Sequence, residues 1–408
     1  MVVDPSPEAW NRVWRYASWM RRLWVDNALL EENVYHKLRL NSPTGGWFPV
    51  LQELDLGITK ANLPHAAIFF SPHLKRISMA VMCKLEAPSS ILPTLNSIIA
   101  ALPASALQRL LIDTEDCGVP WTYFEDSFSS VVLRCGPSLS ELTSPIPLSN
   151  AAINHLIQLP HLRTLHVRGP PPNYPALSVP LNFPPLMNLT LGEGAAHGWL
   201  SLFQRLEDRA SATQGGTPLS RIRKSLRYLS VNSHSGLVID TSFVSLVQRF
   251  QNMVDLDIDA HCYDENDEGQ CTFKLNNNDV TGIAMALPRL ESLALGHPCS
   301  ENTCATTIAC LLLISVHCPK LEQLEIHFNT TNIVDDFKNI SADPRFQQLR
   351  LLPRCPLWNL DVFDMPLVLD ESDFETVVLG MMDIFPSLDY CNGLGDTWEE
   401  VFMEFGEL

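Results

Sequence analysis

A template of Leu-x-x-Leu-x-Leu, with Ile, Val or Met allowed at the apolar positions, recurs along nearly the whole chain. Copies stand at Leu51/Leu54/Leu56, Leu74/Ile77/Met79, Leu107/Leu110/Ile112 and Leu162/Leu165/Val167. They continue at Leu186/Leu189/Leu191, Leu226/Leu229/Val231, Met253/Leu256/Ile258, Leu290/Leu293/Leu295, Leu321/Leu324/Ile326 and Leu357/Leu360/Val362. A weak copy lies at Leu139/Leu142, a degenerate one at Leu388, and Met20/Leu23/Val25 opens the series. Eight copies carry Pro two residues before the first apolar position: Pro49, Pro72, Pro137, Pro160, Pro184, Pro288, Pro319 and Pro386. Proline has no backbone donor, so at that place it marks the boundary of a strand and not its interior.

Segments of helical period separate the copies: Ser90 to Leu102, Tyr123 to Leu133, Asn150 to Leu159, Trp199 to Leu206 and Phe243 to Phe250. Asp279 to Leu287, Ala305 to Val316 and Phe374 to Phe385 extend the series. In Phe243 to Phe250, Phe243, Leu246, Val247 and Phe250 fall at i, i+3, i+4 and i+7, one stripe of a helix. A short strand followed by a helix is the unit of a leucine-rich repeat. First positions lie between 23 and 40 residues apart, mostly beyond the ~20–29 of regular repeats, so these units are irregular and loop-bearing. One unit cannot bury its apolar side, and stacking makes the core continuous.

The expected fold is therefore an α/β leucine-rich-repeat solenoid, with a curved parallel sheet on the concave side and helices on the convex side. Residues 1–46 are expected to form an N-terminal helical cap with the first degenerate repeat. Residues 47–396 would hold about 12 irregular repeats, and 397–408 an acidic C-terminal tail. Ser6 as cap and Pro7 in the first turn begin a helix with Trp10, Val13, Trp14 and Ala17 on one face. Three insertions interrupt the rhythm: the Pro-rich Gly169 to Pro185, the polar Ala210 to Lys224, and the acidic, then Asn-rich, Cys262 to Asn278. Each reads as a surface loop.

The chain of 408 residues has net charge −18. Residues 1–204 hold 15 acids and 14 bases (15 − 14, net −1), and residues 205–408 the remaining 31 and 14 (31 − 14, net −17). That balance opposes nucleic acid and anionic membrane, which need a basic face, and favours basic partners for the second half. The longest apolar run, Ile308 to Val316, is too short to cross a bilayer, and Met1 to Trp10 lacks a signal-peptide layout. The expected location is intracellular, in cytoplasm or nucleus, with the 11 Cys acting mainly as small core hydrophobes.

The unit Cys318-Pro319-Lys320-Leu321-Glu322-Gln323-Leu324-Glu325-Ile326 resembles the repeats of F-box/leucine-rich-repeat proteins, in which a Cys-Pro pair often precedes the strand. Cys135-Gly136-Pro137 and Cys355-Pro356 echo it. The stretches Trp10 to Ala17, Met20 to Asp26 and Trp47 to Leu54 resemble the segment after the F-box and the first full repeat in the large fungal expansions of that family. The resemblance spans essentially the whole chain. It implies a substrate-recognition arm of a cullin-RING ubiquitin ligase that performs no chemistry itself. The three-helix F-box is not legible ahead of Trp10, so docking to the cullin-ligase adaptor is carried over to no residue. A free-standing scaffold or decoy is the alternative.

Motifs for chemistry are weak. Leu189 to Gly198 runs strand, glycines, helix, but its third glycine is one residue late for a dinucleotide loop. Asp264 to Gly269 begins like a calcium loop, yet Glu268 holds position 5 and Leu275 the position that requires Glu. Cys299, Cys304, Cys310 and Cys318, or His261 with Cys262 and Cys271, fit no zinc spacing. G-x-S-x-G, H-E-x-x-H and a Walker lysine are absent. No catalytic residue, cofactor or metal is expected, and the chain reads as a non-enzymatic protein-recognition module.

Strand side chains alternate, so residues between the Leu positions face the concave side. Asp255, Asp257 and Asp259 thus share one face of one strand, with Glu325 and Asp361 on nearby strands. Like charges at that spacing are unfavourable unless solvated or met by a cation. The candidate partner-binding set is Asp255, Asp257, Asp259, Tyr228, Asn232, Gln323, Glu325, His327, Asp361, His166 and Arg168. The expected partner is a protein, with a basic segment as its contact.

Overall fold

The computed structural model describes residues 5–25, 32–44, 46–60, 62–82, 88–114, 121–167, 184–192, 203, 220–233, 238–260, 274–296, 305–349, 351–362 and 371–392. The chain divides into two compact units, Met1–Leu186 and Met187–Leu408.

The first unit runs α1 (Pro7–Ala17), β1 (Arg22–Val25), α2 (Glu32–Leu40), β2 (Glu53–Ile58), a 3-10 turn at Leu63–Phe69, β3 (Arg76–Val81) and α3 (Pro88–Ala100). It continues with β4 (Arg109–Thr114), a second 3-10 turn (Trp121–Phe124), α4 (Glu125–Arg134), β5 (Glu141–Ser144), α5 (Asn150–Leu156) and β6 (Thr164–Val167). These strands pair in parallel and in chain order.

The second unit runs β7 (Asn188–Leu191), α6 (Ser220–Ser225), β8 (Tyr228–Ser233), α7 (Thr241–Val247), β9 (Asp255–Ala260), α8 (Asn277–Ala286) and β10 (Ser292–Leu295). Then come α9 (Ala309–His317), β11 (Gln323–Ile326), α10 (Ile333–Ala342), α11 (Pro344–Leu349), β12 (Asn359–Asp361), α12 (Glu371–Ile384) and β13 (Tyr390–Asn392). Its strands are likewise parallel and in chain order. Parallel strands joined through helices, one pair per repeat, make each unit an α/β leucine-rich-repeat solenoid.

Register follows the Leu template. Leu54 faces Ile77, Ile77 faces Leu110, and Leu110 faces Leu142. In the second unit Leu229, Leu256, Leu293, Leu324 and Leu360 form the same ladder. All are essentially inaccessible to solvent. Burying each such side chain stabilises the fold by about 1.5–3 kcal/mol, and a one-residue slip would turn the whole ladder outward.

The prolines have a sharper role than a boundary mark. The Leu51 N–H donates to Phe48 O, Leu74 to Ser71, Leu139 to Gly136, Leu162 to Leu159, Leu290 to Leu287, Leu321 to Cys318 and Leu388 to Phe385. Each is an i to i+3 turn with Pro at the second position, where its fixed φ is already suited. After the turn, two successive N–H groups donate to one carbonyl of the preceding repeat, that of the residue just ahead of its strand. Lys75 and Arg76 share Gln52 O, Val254 and Asp255 share Arg227 O, and Glu322 and Gln323 share Glu291 O. The Cys318 thiol, at the start of its turn, is buried, and its Sγ approaches the Ala284 carbonyl at 3.6 Å. Burial pushes the Cys135 and Cys318 thiols up to about 12 and Cys355 to about 11, so they act as core atoms, not nucleophiles.

Some local expectations shift. The Ser6 hydroxyl caps α1 by accepting from Ala9 N, and Trp10 packs on Trp47 with ring centroids 5.6 Å apart. Ala17 is buried, but Val13 and Trp14 remain 45% and 39% exposed. The segment Ala210 to Lys224, read as a loop, ends in helix from Ser220; residues 210–219 lie outside the described set. The Asn-rich end of Cys262 to Asn278 is a capping box, in which the Asn276 side chain accepts from Asp279 N and the Asp279 carboxylate from Asn276 N. Gly169 to Pro185 falls almost wholly outside the described residues, as do Asp264 to Gly269, Cys299 and Cys304.

Candidate functional site

Each strand presents its Leu side to the helices and the alternate side chains on an open face. On the open face of the second unit the registered middle row reads Thr190, Ser230, Asp257, Ala294, Glu325 and Asp361. The row beside it reads Asn188, Tyr228, Asp255, Ser292, Gln323, Asn359 and Tyr390. Asn232 and Asp259 are partners one step further along β8 and β9. These positions contain no Lys, Arg or His.

The carboxylates are half-buried and close to one another. Burial raises Asp255 above the ordinary carboxylate range, and Asp257 adds to it. Asp257 is raised by burial and by Asp259, against the hydroxyl of Ser230, which donates to its Oδ2 at 2.8 Å. The Asn232 amide donates to Asp259 Oδ2, also at 2.8 Å. Glu325 is pushed up to about 7 by burial, then by Asp361, Asp257 and Asp259. Ala294 stands between Asp257 and Glu325, so its methyl leaves a trough two strand spacings wide, about 10 Å. Asn359 adds one more acceptor: its shielded Oδ1 has no hydrogen-bond partner among the described residues.

Of the sequence-derived set, Asp255, Asp257, Asp259, Tyr228, Asn232, Gln323, Glu325 and Asp361 come together on this face. His327 does not face solvent. It follows the last residue of β11, is buried, and its carbonyl accepts from the Thr306 hydroxyl at 2.7 Å. His166 belongs to the first unit, in register with Thr143, and Arg168 lies outside the described residues.

From this first part of the chain the candidate set took only His166 and Arg168, leaving aside the other ladder positions on the open face of the first unit. There Arg22, Glu53, Arg76, Arg109 and Glu141 form one registered row, and Trp24, Asp55, Ser78 and Leu111 the next. The same alternation, extended to the opening Met20/Leu23/Val25 copy, is the signal that would have named Arg22 and Trp24. Among the described residues no group of three or more His, Cys, Asp or Glu is placed to hold a metal ion. No helix among them is long and apolar enough to cross a membrane.

No known family profile matches the chain, and no curated protein matches it. Among solved structures, a chain in the crystal structure of the Rad7 and Elc1 complex in yeast is similar at 15% identity and a TM-score of 0.40. The alignment covers 92% of this chain and 76% of that one.

Proposed function

We propose that this chain is a protein-recognition module whose second unit holds a basic segment of its partner on the open face of the sheet. The observation that carries the reading is the registered, half-buried group Asp255, Asp257 and Glu325, whose carboxyls burial and neighbouring carboxylates raise, with Asp259 and Asp361 on the same face. Carboxylates whose ionised form is penalised by burial and by each other are relieved when an ammonium or guanidinium arrives. The neighbouring groups are also acceptors, Asn359 Oδ1 among them, so a donor-rich Lys or Arg side chain fits better than an acceptor. The trough over Ala294 gives a long basic side chain room to lie between Asp257 and Glu325.

The finer reading is that the module is the substrate-recognition arm of an F-box-type ubiquitin-ligase receptor. Support comes from the Cys-Pro pair that leads into the strand: Cys318 is buried, Pro319 stands within the turn, and Leu321 and Leu324 lie in the core. Such an arm holds its substrate and leaves the chemistry to the ligase.

Affinity purification of the tagged chain from its native cell, with mass spectrometry of the captured proteins, tests both levels. The reading expects partners with Lys/Arg-rich segments together with the cullin-ligase adaptor. Partners without the adaptor would refute the ligase assignment and favour a scaffold, while leaving basic recognition intact. Partners lacking basic segments would refute the acidic face as the contact.

A further inference from the structure

The open face of the first unit carries a second cleft of different chemistry. A cavity of about 550 Å³ lies over β1 to β4, lined by Arg22, Trp24, Arg76, Ser78, Arg109 and Leu111, with Glu53 and Asp55 in its wall. Three guanidinium groups therefore meet two carboxylates along the wall. The arrangement is directional. Arg22 Nε pairs with Glu53 at 3.0 Å, and Arg76 Nη1 reaches the same carboxylate at 3.5 Å. Arg109 pairs on its other side with Glu141, which does not line the cavity.

Arg76 and Arg109 are registered partners on adjacent strands, so two like charges sit one strand spacing apart. Each is drawn to an acid on its outer flank, which leaves the space between them to be filled by an anion. Every guanidinium offers five N–H donors, and the contacts with Glu53 and Glu141 engage only part of that set. Both side chains remain about half exposed. Two forks flanking one gap suit a carboxylate, which accepts from both. Beside them Trp24 is 77% exposed, and Leu111 lies in the same row, so an apolar surface adjoins the cationic one.

We propose that this cleft binds an acidic peptide segment, with a Glu or Asp carboxylate between Arg76 and Arg109 and a neighbouring apolar side chain on Trp24 and Leu111. Glu53 and Asp55 in the wall repel a polyanion such as nucleic acid, while a peptide with separated carboxylates avoids them. The inference is independent of the acidic face of the second unit, since none of these residues belongs to it.

The test is selection of a phage-displayed random peptide library on the intact chain, followed by binding of the enriched peptides to Arg76→Ala/Arg109→Ala. The proposal expects an enriched pool rich in Glu or Asp beside an apolar residue, bound about tenfold or more weakly by the double variant, a loss of about 1.4 kcal/mol or more. Circular dichroism confirms that the variant is folded. Should it melt early, Ser78→Glu gives the same reading, because it places a carboxylate in the cleft without removing either arginine. A pool without acidic enrichment, an acidic pool bound equally by these variants, or no enrichment would each overturn the proposal.

Discussion

Glu325 on β11 and Asp361 on β12 are registered partners on adjacent parallel strands, one carboxyl beside the other. Like charges side by side on a sheet weaken it, and here burial sharpens the effect. The folded chain tolerates this pair because the Leu ladder beneath supplies the stability.

That pair sets a pH dependence. Burial and the neighbouring carboxylates push the folded-state carboxyl of Glu325 up to about 7 from the ordinary 4.5, so between those values the folded chain holds a proton that the unfolded chain has released. The contribution is fully present below 4.5 and is lost as pH rises through 7. Unscreened, the difference is worth about 3 kcal/mol; for a group half open to solvent, about 1–2 kcal/mol is expected. Glu325→Gln should accordingly raise stability at pH 8 and leave it nearly unchanged at pH 4, as read by urea unfolding at both values.

The hydroxyl of Ser230 works against the same repulsion by donating to Asp257. Ser230→Ala removes that bond and pushes the Asp257 carboxyl further up. A loss of about 0.5–1.5 kcal/mol is expected at pH 8, and less at pH 3, where a carboxyl raised above 3.8 is protonated. Unfolding curves at the two pH values check it; equal losses at both would mean the hydroxyl serves packing alone.

His65, in the 3-10 turn of the first unit, gives the opposite sign. It is 94% buried by its 6% exposure, and its Nδ1 has no hydrogen-bond partner among the described residues. Burial lowers its basicity first, followed by Arg39 and His36, against Glu32. A lowered folded value means stability that is present above 6.5 and lost as pH falls through the folded value. His65→Phe should flatten thermal stability between pH 7 and pH 5, measured by calorimetry.

Packing between repeats is tested at Gly380 of α12, where an added Cβ would stand 2.4 Å from the Phe337 ring of α10. Gly380→Ala gains helix propensity worth about 1 kcal/mol but must displace that buried ring, at about 1–3 kcal/mol. Net destabilisation is expected, with Gly380→Ala/Phe337→Leu recovering part of it. Additive effects of the two substitutions in a double-mutant cycle would show that the residues do not meet.

Much of this architecture was legible because repeats bury one side chain type at fixed register. Leu54, Leu256, Leu324 and their counterparts pointed to the strands, and the strands dictated which residues share the open face. The helix Glu32–Leu40 was not legible: its apolar face is short, Val34, Tyr35 and Leu38, and only Tyr35 is buried. His327 was assigned to the open face by continuing the alternation past Ile326, where the strand has already ended. The Ser230–Asp257 bond depends on strands 27 residues apart being in register, which spacing alone does not fix when loops vary in length. Arg76 and Arg109 were visible as single ladder positions, but their adjacency became meaningful only once the two strands were paired.

The most direct test of recognition by the second unit is a binding titration with a fluorescein-labelled peptide of alternating Lys and Arg. Three chains are compared: the unaltered one, Asp255→Asn/Asp257→Asn/Asp259→Asn, and a charge-matched control, Asp335→Asn/Asp336→Asn/Glu375→Gln, with its changes away from the open face. The account predicts that the first triple weakens binding about tenfold or more, about 1.4 kcal/mol, and that the control changes it little. Equal weakening by both triples would reduce the effect to net charge, and no weakening by the first would remove the acidic face as the contact.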